Sequence, residues 1–237
     1  MVQKLFKIPE LSVFFPAYNE EGNIEKTVLD AKKVLEKISK KWEIIIVNDG
    51  SKDRTGEIAK RLSKEDKRIR VINHRKNKGY GEALKSGFYN AKYAWIATCD
   101  ADGQFDFSEI KNLCEKSSQA QIVIGYRINR RDSVLRKIFG WGWTLIANLL
   151  LGINVRDVDC SFKLVKKEVI EKISPLESTR GGMISPELLA KAKRLGFKID
   201  QVPVHHYPRK SGHQTGADMK VIINSFIDLM KLWKKLR

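Results

Sequence analysis

Short apolar, β-branched runs alternate with amphipathic stretches through the first half of this 237-residue chain, and this alternation restricts its fold most tightly. The runs at 11–15, 43–47, 70–72, 94–98 and 121–124 have the apolar character of strands covered on both faces. Between the first two, Ile24, Val28, Ala31, Leu35 and Ile38 recur at steps of four and three, which predicts a helix with Lys, Glu and Asp on its outer face. Asp53-Arg54-Thr55 opens a second helix with an N-cap-like Asp. Residues 81–92 make a third helix and 108–116 a fourth, again behind a capping residue. The expected architecture is α/β, a mainly parallel sheet flanked by helices. Ligands of such sheets sit at the carboxyl ends of strands, and the polar motifs at 16–20, 48–51 and 100–104 fall there.

Charge narrows the partners. Lys and Arg number 45 and Asp and Glu 28, a net +17, which suits nucleic acid, an anionic membrane surface or phosphorylated substrates. Acidic residues at the strand ends, and the lack of helix-turn-helix, RNP or zinc patterns, argue against a nucleic-acid module. Cys99, Cys114 and Cys160 are odd in number and have no Cys-X-X-Cys spacing. That speaks for a reduced compartment and against a disulfide framework or zinc site. The first seven residues hold no signal-like apolar core, so the reading is cytoplasmic.

Asp100-Ala101-Asp102 follows the fourth run. Two carboxylates one residue apart at a strand end can face one hard cation, Mg²⁺ or Mn²⁺, which shares its oxygen ligands with a substrate phosphate. Alone, the triplet is common among solvated loops; its weight comes from the motifs around it. Pro16 is expected to end strand pairing, Tyr18 to offer a ring for base stacking, and Glu20 to accept from a base or ribose; the alternative is a turn and helix cap. Asp49 can accept from a base N–H and Ser51 can cap the next segment, although Asn48-Asp49-Gly50-Ser51 is also ordinary turn chemistry. Gly79-Tyr80-Gly81-Glu82-Ala83-Leu84 has Leu84 where a dinucleotide fingerprint needs its third glycine, so no nicotinamide site is assigned. Its backbone N–H groups and Lys78 can still approach a phosphate.

The second half reads differently. No residue from 138 to 155 is charged, but Gly140, Gly142, Thr144, Asn148, Gly152 and Asn154 interrupt the segment. An interfacial segment at 136–155, with Trp141 and Trp143 at headgroup level, is favoured over a buried core helix or a membrane span. In the tail, Ile222, Phe226, Leu229, Trp233 and Leu236 form a stripe beside Lys231, Lys234, Lys235 and Arg237. It reads either as a basic membrane-facing helix or as one docked on the sheet. The expected division is a domain at 1–216 and a basic amphipathic helix at 217–237.

Taken in order, Pro16-Ala17-Tyr18-Asn19-Glu20, Val47-Asn48-Asp49-Gly50-Ser51, Asn77-Lys78-Gly79 and Asp100-Ala101-Asp102-Gly103-Gln104 resemble the motifs of family 2 glycosyltransferases of the GT-A fold. The later segments Gly125-Tyr126-Arg127, Val155-Arg156-Asp157, Ser161-Phe162-Lys163 and Val202-Pro203-Val204-His205-His206 extend the likeness to the polyprenyl-phosphate branch, typified by dolichol-phosphate mannose synthases. The resemblance implies that Pro16, Ala17, Tyr18, Glu20 and Asp49 hold the nucleotide sugar, with Ser51, Lys78, Asp100, Ala101 and Asp102 completing that set. It implies a metal site at Asp100, Asp102 and Gln104, and catalytic roles for Asp100, Asp102, Arg127 and Arg209. Arg127, Arg136, Asp157, Lys163 and Lys210 are the candidates for an acceptor phosphate. Asp157 and Asp159 either orient the acceptor or sugar or are structural partners of Arg156 and Lys163. His205, His206 and His213 are read as polar contacts rather than a second metal site.

Three positions depart from the family pattern: Gly103 replaces a leucine, which would loosen the metal loop; Phe107 stands where proline is frequent; and Gly212-His213-Gln214-Thr215 lacks an expected lysine. The implied reaction moves mannose or glucose from a GDP- or UDP-linked sugar to a polyprenyl or dolichyl phosphate, with inversion, on the inner face of the membrane. Arg127, Arg130, Arg131, Arg136 and Lys137 would meet the anionic surface, each contributing ~1 kcal/mol when well placed. The alternatives are a soluble sugar or small-molecule acceptor on the same fold and, more remotely, a nucleic-acid-binding module. A sugar nucleotidyltransferase would need a glycine- and arginine-rich phosphate loop that residues 1–21 lack.

Overall fold

Phe14 and Phe15 are both fully buried because their strand, β1 (Ile8–Ala17), lies inside the sheet with helices on either face. The computed structural model describes residues 8–129, 134–178, 181–209 and 219–237. Beside β1 lie β2 (Ser39–Asn48) and β3 (Ile69–Asn73) on one side and β4 (Trp95–Thr98) on the other, all parallel. Beyond β4 come β6 (Lys163–Lys166), β5 (Ile122–Ile128) and β7 (Ile199–His205), giving the order β3-β2-β1-β4-β6-β5-β7. Only β6 runs against the rest of this sheet, antiparallel to both β4 and β5. Its first residue, Lys163, lies opposite Thr98, the last residue of β4. Residues entering β6 therefore share an edge with residues leaving β4.

Alternation along the strands divides the core into two layers. Val13, Phe15, Ile44 and Ile46 pack with α1 (Ile24–Ile38), α2 (Thr55–Glu65) and α4 (Ile110–Lys116). Phe14, Ile45 and Val47 face α3 (Tyr80–Asn90), α5 (Val134–Leu151), α6 (Lys167–Ile173), α7 (Gly181–Arg194) and α8 (Met219–Lys235). The turn from α2 into β3 is fastened by Asp66, whose carboxylate accepts from the Arg68 backbone and guanidinium and pairs with Lys32 at 2.7 Å.

Several expectations change in detail. Pro16 does not end pairing: β1 continues beside β2 through Pro16↔Val47 and Ala17↔Asn48. It lies beyond the last β4 partner, Phe14↔Thr98, so no β4 ladder bond needs its missing N–H. The third helix starts one residue earlier than expected, at Tyr80, and ends at Asn90. A 3₁₀ turn (Phe107–Glu109) precedes α4, and Asp106 accepts from the Ser108 N–H as the cap. Phe107, in the proline position, is buried beside the rings of Phe15 and Phe162.

The uncharged segment forms α5 and the loop after it. One face enters the core through Trp143, Thr144 and Ala147; the other exposes Ile138, Trp141, Leu145 and Leu149. Trp143 is thus not an outward-facing anchor: it donates to Asp159 and packs edge-on against Phe226 of α8. Among the described residues no helix is long and apolar enough to cross a membrane. In α8, Leu229 and Leu232 are buried against the domain, while Ile227 and Met230 are exposed, so the tail is docked and retains an outer apolar strip. The Arg136 and Ile222 side chains, and residues Arg130, Arg131, Lys210 and 212–215, lie outside the described ones.

Candidate functional site

The loops leaving β1 and β2 are zipped together by their own polar groups. Asn19, with φ 56°, donates its N–H to the Ser51 hydroxyl, and its side-chain oxygen accepts from the Lys52 N–H. The Glu20 N–H donates to the Thr55 hydroxyl at 2.8 Å, and the Glu21 N–H to Asp53. Ser51 thereby braces the first loop, while Asp53 provides the acceptor for the Thr55 N–H at the start of α2. Tyr18 remains 40% exposed at the mouth of this loop pair, free of the core.

Asp49 is 2% exposed and engaged by the protein itself. Its carboxylate accepts from the Lys78 and Gly79 N–H groups at 2.9 and 2.8 Å and contacts His74 Nδ1 at 2.6 Å. His74 reaches Ser86 through its other nitrogen. Asp49 thus fixes the loop before α3, which leaves the Lys78 side chain exposed. His74 is a participant that sequence reasoning missed; a lone histidine after a strand gave no signal.

Asp100–Gln104 follows β4. Asp102 and Gln104 are buried, and the Gln104 N–H donates to Asp102 Oδ1 at 3.1 Å. Gly103 takes φ 73°, a left-handed turn in which leucine would be strained, so the glycine shapes this loop instead of loosening it. The Gln104 side-chain N–H₂ donates to the Tyr207 carbonyl oxygen, and the Gln104 main-chain oxygen accepts from the Tyr207 N–H, stitching the loop to the segment after β7. Arg209, in that segment, contacts Glu20 and lies 3.5 Å from Asp102 Oδ2. Asn23 donates to the other Glu20 oxygen. Burial, opposed by Asn23 and Arg209, raises the Glu20 carboxyl above its ordinary range. Burial and then the neighbouring Asp100 charge push Asp102 up to about 7. The Tyr80 hydroxyl donates to Asp100 Oδ1 at 2.6 Å; the protein packed around that hydroxyl and the Asp100 charge raise the phenol above its ordinary range.

These residues fit a hard divalent cation. Two crowded carboxylates repel each other, and Gln104 keeps its side-chain oxygen available because its amide nitrogen is already committed to Tyr207. Among the described residues no group of three His, Cys, Asp or Glu side chains is arranged to hold a metal. Such a set suits an ion that completes its shell with ligand phosphates.

A second cluster sits where β6 begins. Arg127 forms a bidentate pair with Asp157, Nε–Oδ2 2.6 Å and NH2–Oδ1 2.8 Å. Arg156 stacks over Tyr126, and the guanidinium that pairs with Asp157 is that of Arg127, so of the two readings of Asp157 the structural-partner one holds with Arg127 in place of Arg156. Asp159 accepts from Trp143, and its carboxyl is raised by the protein packed around it and then by Asp157. Lys163 is 3% exposed, and its ammonium donates to the Cys160 carbonyl. Burial lowers the Lys163 pKa. His205 is tied to Glu109 through both its N–H and its ring, in keeping with a polar contact at a strand end. His213 lies outside the described residues.

The profile of glycosyl transferase family 2 matches residues 12–174, from β1 past the end of α6. The chain belongs to glycosyl transferase family 2. This family 2 chain is 35% identical to a dolichyl-phosphate beta-glucosyltransferase of Trichomonas vaginalis, over 94% of its own length and 72% of the relative. It is 30% identical to the dolichyl-phosphate beta-glucosyltransferase of Saccharomyces cerevisiae, over 91% and 70%. It is also 30% identical to an undecaprenyl-phosphate 4-deoxy-4-formamido-L-arabinose transferase of Salmonella choleraesuis, over 94% and 67%. These relatives belong to the polyprenyl-phosphate branch, and those named here are glucosyl- and formamidoarabinosyltransferases rather than mannosyltransferases. Among solved structures, glucosyl-3-phosphoglycerate synthase of Mycobacterium tuberculosis, in complex with Mn²⁺, UDP and its product, superposes with a TM-score of 0.70. The match covers 95% of this chain and 80% of that one at 20% identity, a shared GT-A fold.

Proposed function

We propose that this glycosyltransferase moves a hexose, glucose or mannose, from a nucleoside-diphosphate sugar to a polyprenyl or dolichyl phosphate at the cytoplasmic face of a membrane. The names of the relatives favour glucose. The observation that carries the reading is the buried Asp102 beside Asp100, Gln104 and Arg209, at the carboxyl edge of β4.

Asp100, Asp102 and Gln104 would hold Mg²⁺ or Mn²⁺, which supplies Lewis-acid stabilisation of the departing diphosphate. Tyr18 offers its exposed ring to the base, and Pro16, Ala17, Glu20, Asp49, Ser51, Lys78 and Ala101 shape the nucleotide-sugar pocket. Arg209 gives charge-assisted hydrogen bonds to the leaving group, with Lys210 next to it in sequence. The acceptor phosphate oxygen is already ionised near neutral pH, so attack on the anomeric carbon needs no strong base and inverts its configuration. Asp157 orients Arg127, and the rest of the guanidinium's five N–H donors serve the acceptor phosphate. Lys163, at the start of β6, adds positive charge beside that pair, while the Asp157 carboxylate acts through Arg127; Arg136 is the other basic candidate for the acceptor phosphate. The catalytic domain is residues 1–216. The exposed strip of α5, with Ile227, Met230 and the lysines of the tail at 217–237, rests on the anionic surface.

The test supplies purified full-length chain with Mg²⁺ or Mn²⁺, UDP-glucose, GDP-mannose and polyprenyl phosphate. A glycolipid is expected, and Asp102→Ala abolishes it with an unchanged circular dichroism spectrum. Transfer to a soluble acceptor with no need for the lipid, or wild-type turnover by Asp102→Ala, would overturn the reading.

A further inference from the structure

The turn before α3 touches two candidate-site carboxylates that belong to different strands. Its backbone N–H groups at Lys78 and Gly79 hold Asp49 at the end of β2. One residue later, the Tyr80 hydroxyl holds Asp100 at the end of β4. The turn requires Gly79, whose φ is 94°, and it rests against Gly50, where a Cβ would come within 2.4 Å of the Lys76 carbonyl carbon. On the far side, the Tyr80 ring lies over Gly181 at the start of α7; a Cβ there would sit 2.9 Å from Tyr80 Cδ1. The tyrosine is thus seated from below by a glycine and aimed from behind by a fixed turn. Its ring is nonetheless 38% exposed, so the packing gain from the side chain is partial.

We propose that Tyr80 is a positioning residue for the divalent cation: its hydroxyl fixes the Asp100 carboxylate in one orientation, and Gly181 keeps the ring in place to do so. The inference rests on the reading of Asp100, Asp102 and Gln104 as the cation's ligands. Asp102 has its own anchor in the Gln104 N–H, and Gln104 has one in Tyr207; Tyr80 supplies the corresponding anchor for Asp100. A carboxylate oxygen has two lone pairs, so accepting from a phenol leaves it able to bind a cation. Removing an outer hydrogen bond of this kind from a metal ligand costs 10–100-fold in affinity.

Mn²⁺ is titrated into the full chain in the presence of UDP, and free Mn²⁺ is followed by electron paramagnetic resonance. Tyr80→Phe is expected to weaken Mn²⁺ binding by about tenfold, while metal-free UDP affinity and metal-free melting temperature stay at wild-type values. Gly181→Ala is expected to reproduce the Mn²⁺ defect with the hydroxyl still present. If that variant does not fold, Tyr80→Phe decides alone. Wild-type Mn²⁺ affinity in Tyr80→Phe overturns the proposal. So does a Mn²⁺ loss matched by equal losses in metal-free UDP binding and stability, which would mark a general loosening. Failure of the wild-type chain to take up Mn²⁺ with UDP would instead overturn the underlying ligand reading.

Discussion

The Arg127 guanidinium and the Asp157 carboxylate meet in a two-bond fork, 2.6 and 2.8 Å, linking the end of β5 to the loop before β6. Both side chains are almost fully withdrawn from water. Such a pair is weak evidence for net stability when both charges are present, but losing one partner strands the other. Asp157→Asn is therefore expected to cost about 3 kcal/mol. The Arg127→Met, Asp157→Leu double variant should cost clearly less than the two single losses added. Urea unfolding of wild type, Asp157→Asn, Arg127→Met, Asp157→Leu and the double variant measures both; additive losses would mean the residues act independently.

Asp66 makes stability depend on acid. Hydrogen bonds from Arg68, and then Lys32, hold its carboxyl well below the ordinary value of 3.8. A group with a depressed folded pKa stabilises the native state above its unfolded value and loses that contribution as pH falls through the folded one. Asp66→Asn should thus cost about 1–2 kcal/mol at pH 7, and the gap to wild type should close progressively below pH 3.8. A gap that stays constant from pH 7 to pH 2 would exclude the ionised carboxylate as its source.

All three cysteines are buried, and burial pushes Cys114 and Cys160 up to about 12 and Cys99 well above its ordinary range. Since the thiolate is the reactive form, iodoacetamide at pH 8 should label none of them in the native protein and all of them in guanidinium. Mass spectrometry reads the count. Rapid native labelling of any one would show that its site opens.

The proposed membrane contact can be weakened without touching the core. Trp141 and Leu149 are 67% and 75% exposed on α5. Trp141→Glu with Leu149→Glu should reduce sedimentation with anionic vesicles by about tenfold or more, with the melting temperature unchanged. Equal sedimentation of variant and wild type would remove this face from the contact.

β1, β2, β4 and the first part of β5 are legible because their apolar runs are buried on both faces, β3 from its β-branched residues although it is an edge strand only partly buried, and α1 because its apolar spacing matches a helical face. β6 left no such trace. It has four residues, begins and ends in lysine, and is defined by pairing with β4 and β5 instead of by its own pattern. Trp143 was read outward because composition alone cannot say which face of an uncharged helix meets a neighbour. At the candidate site, the motif residues of the β1, β2 and β4 loops do converge on one edge of the sheet. Their bracing was not visible: Asp49 holding the α3 turn, Tyr80 holding Asp100, and Tyr207 holding Gln104 each join segments far apart in the chain.

Arg209 lies between Glu20 and Asp102, so a positive group of the protein already stands among the negative ones. Anything that enters between those two acids must trade places with a tethered guanidinium. Occupancy there is an exchange of ionic partners.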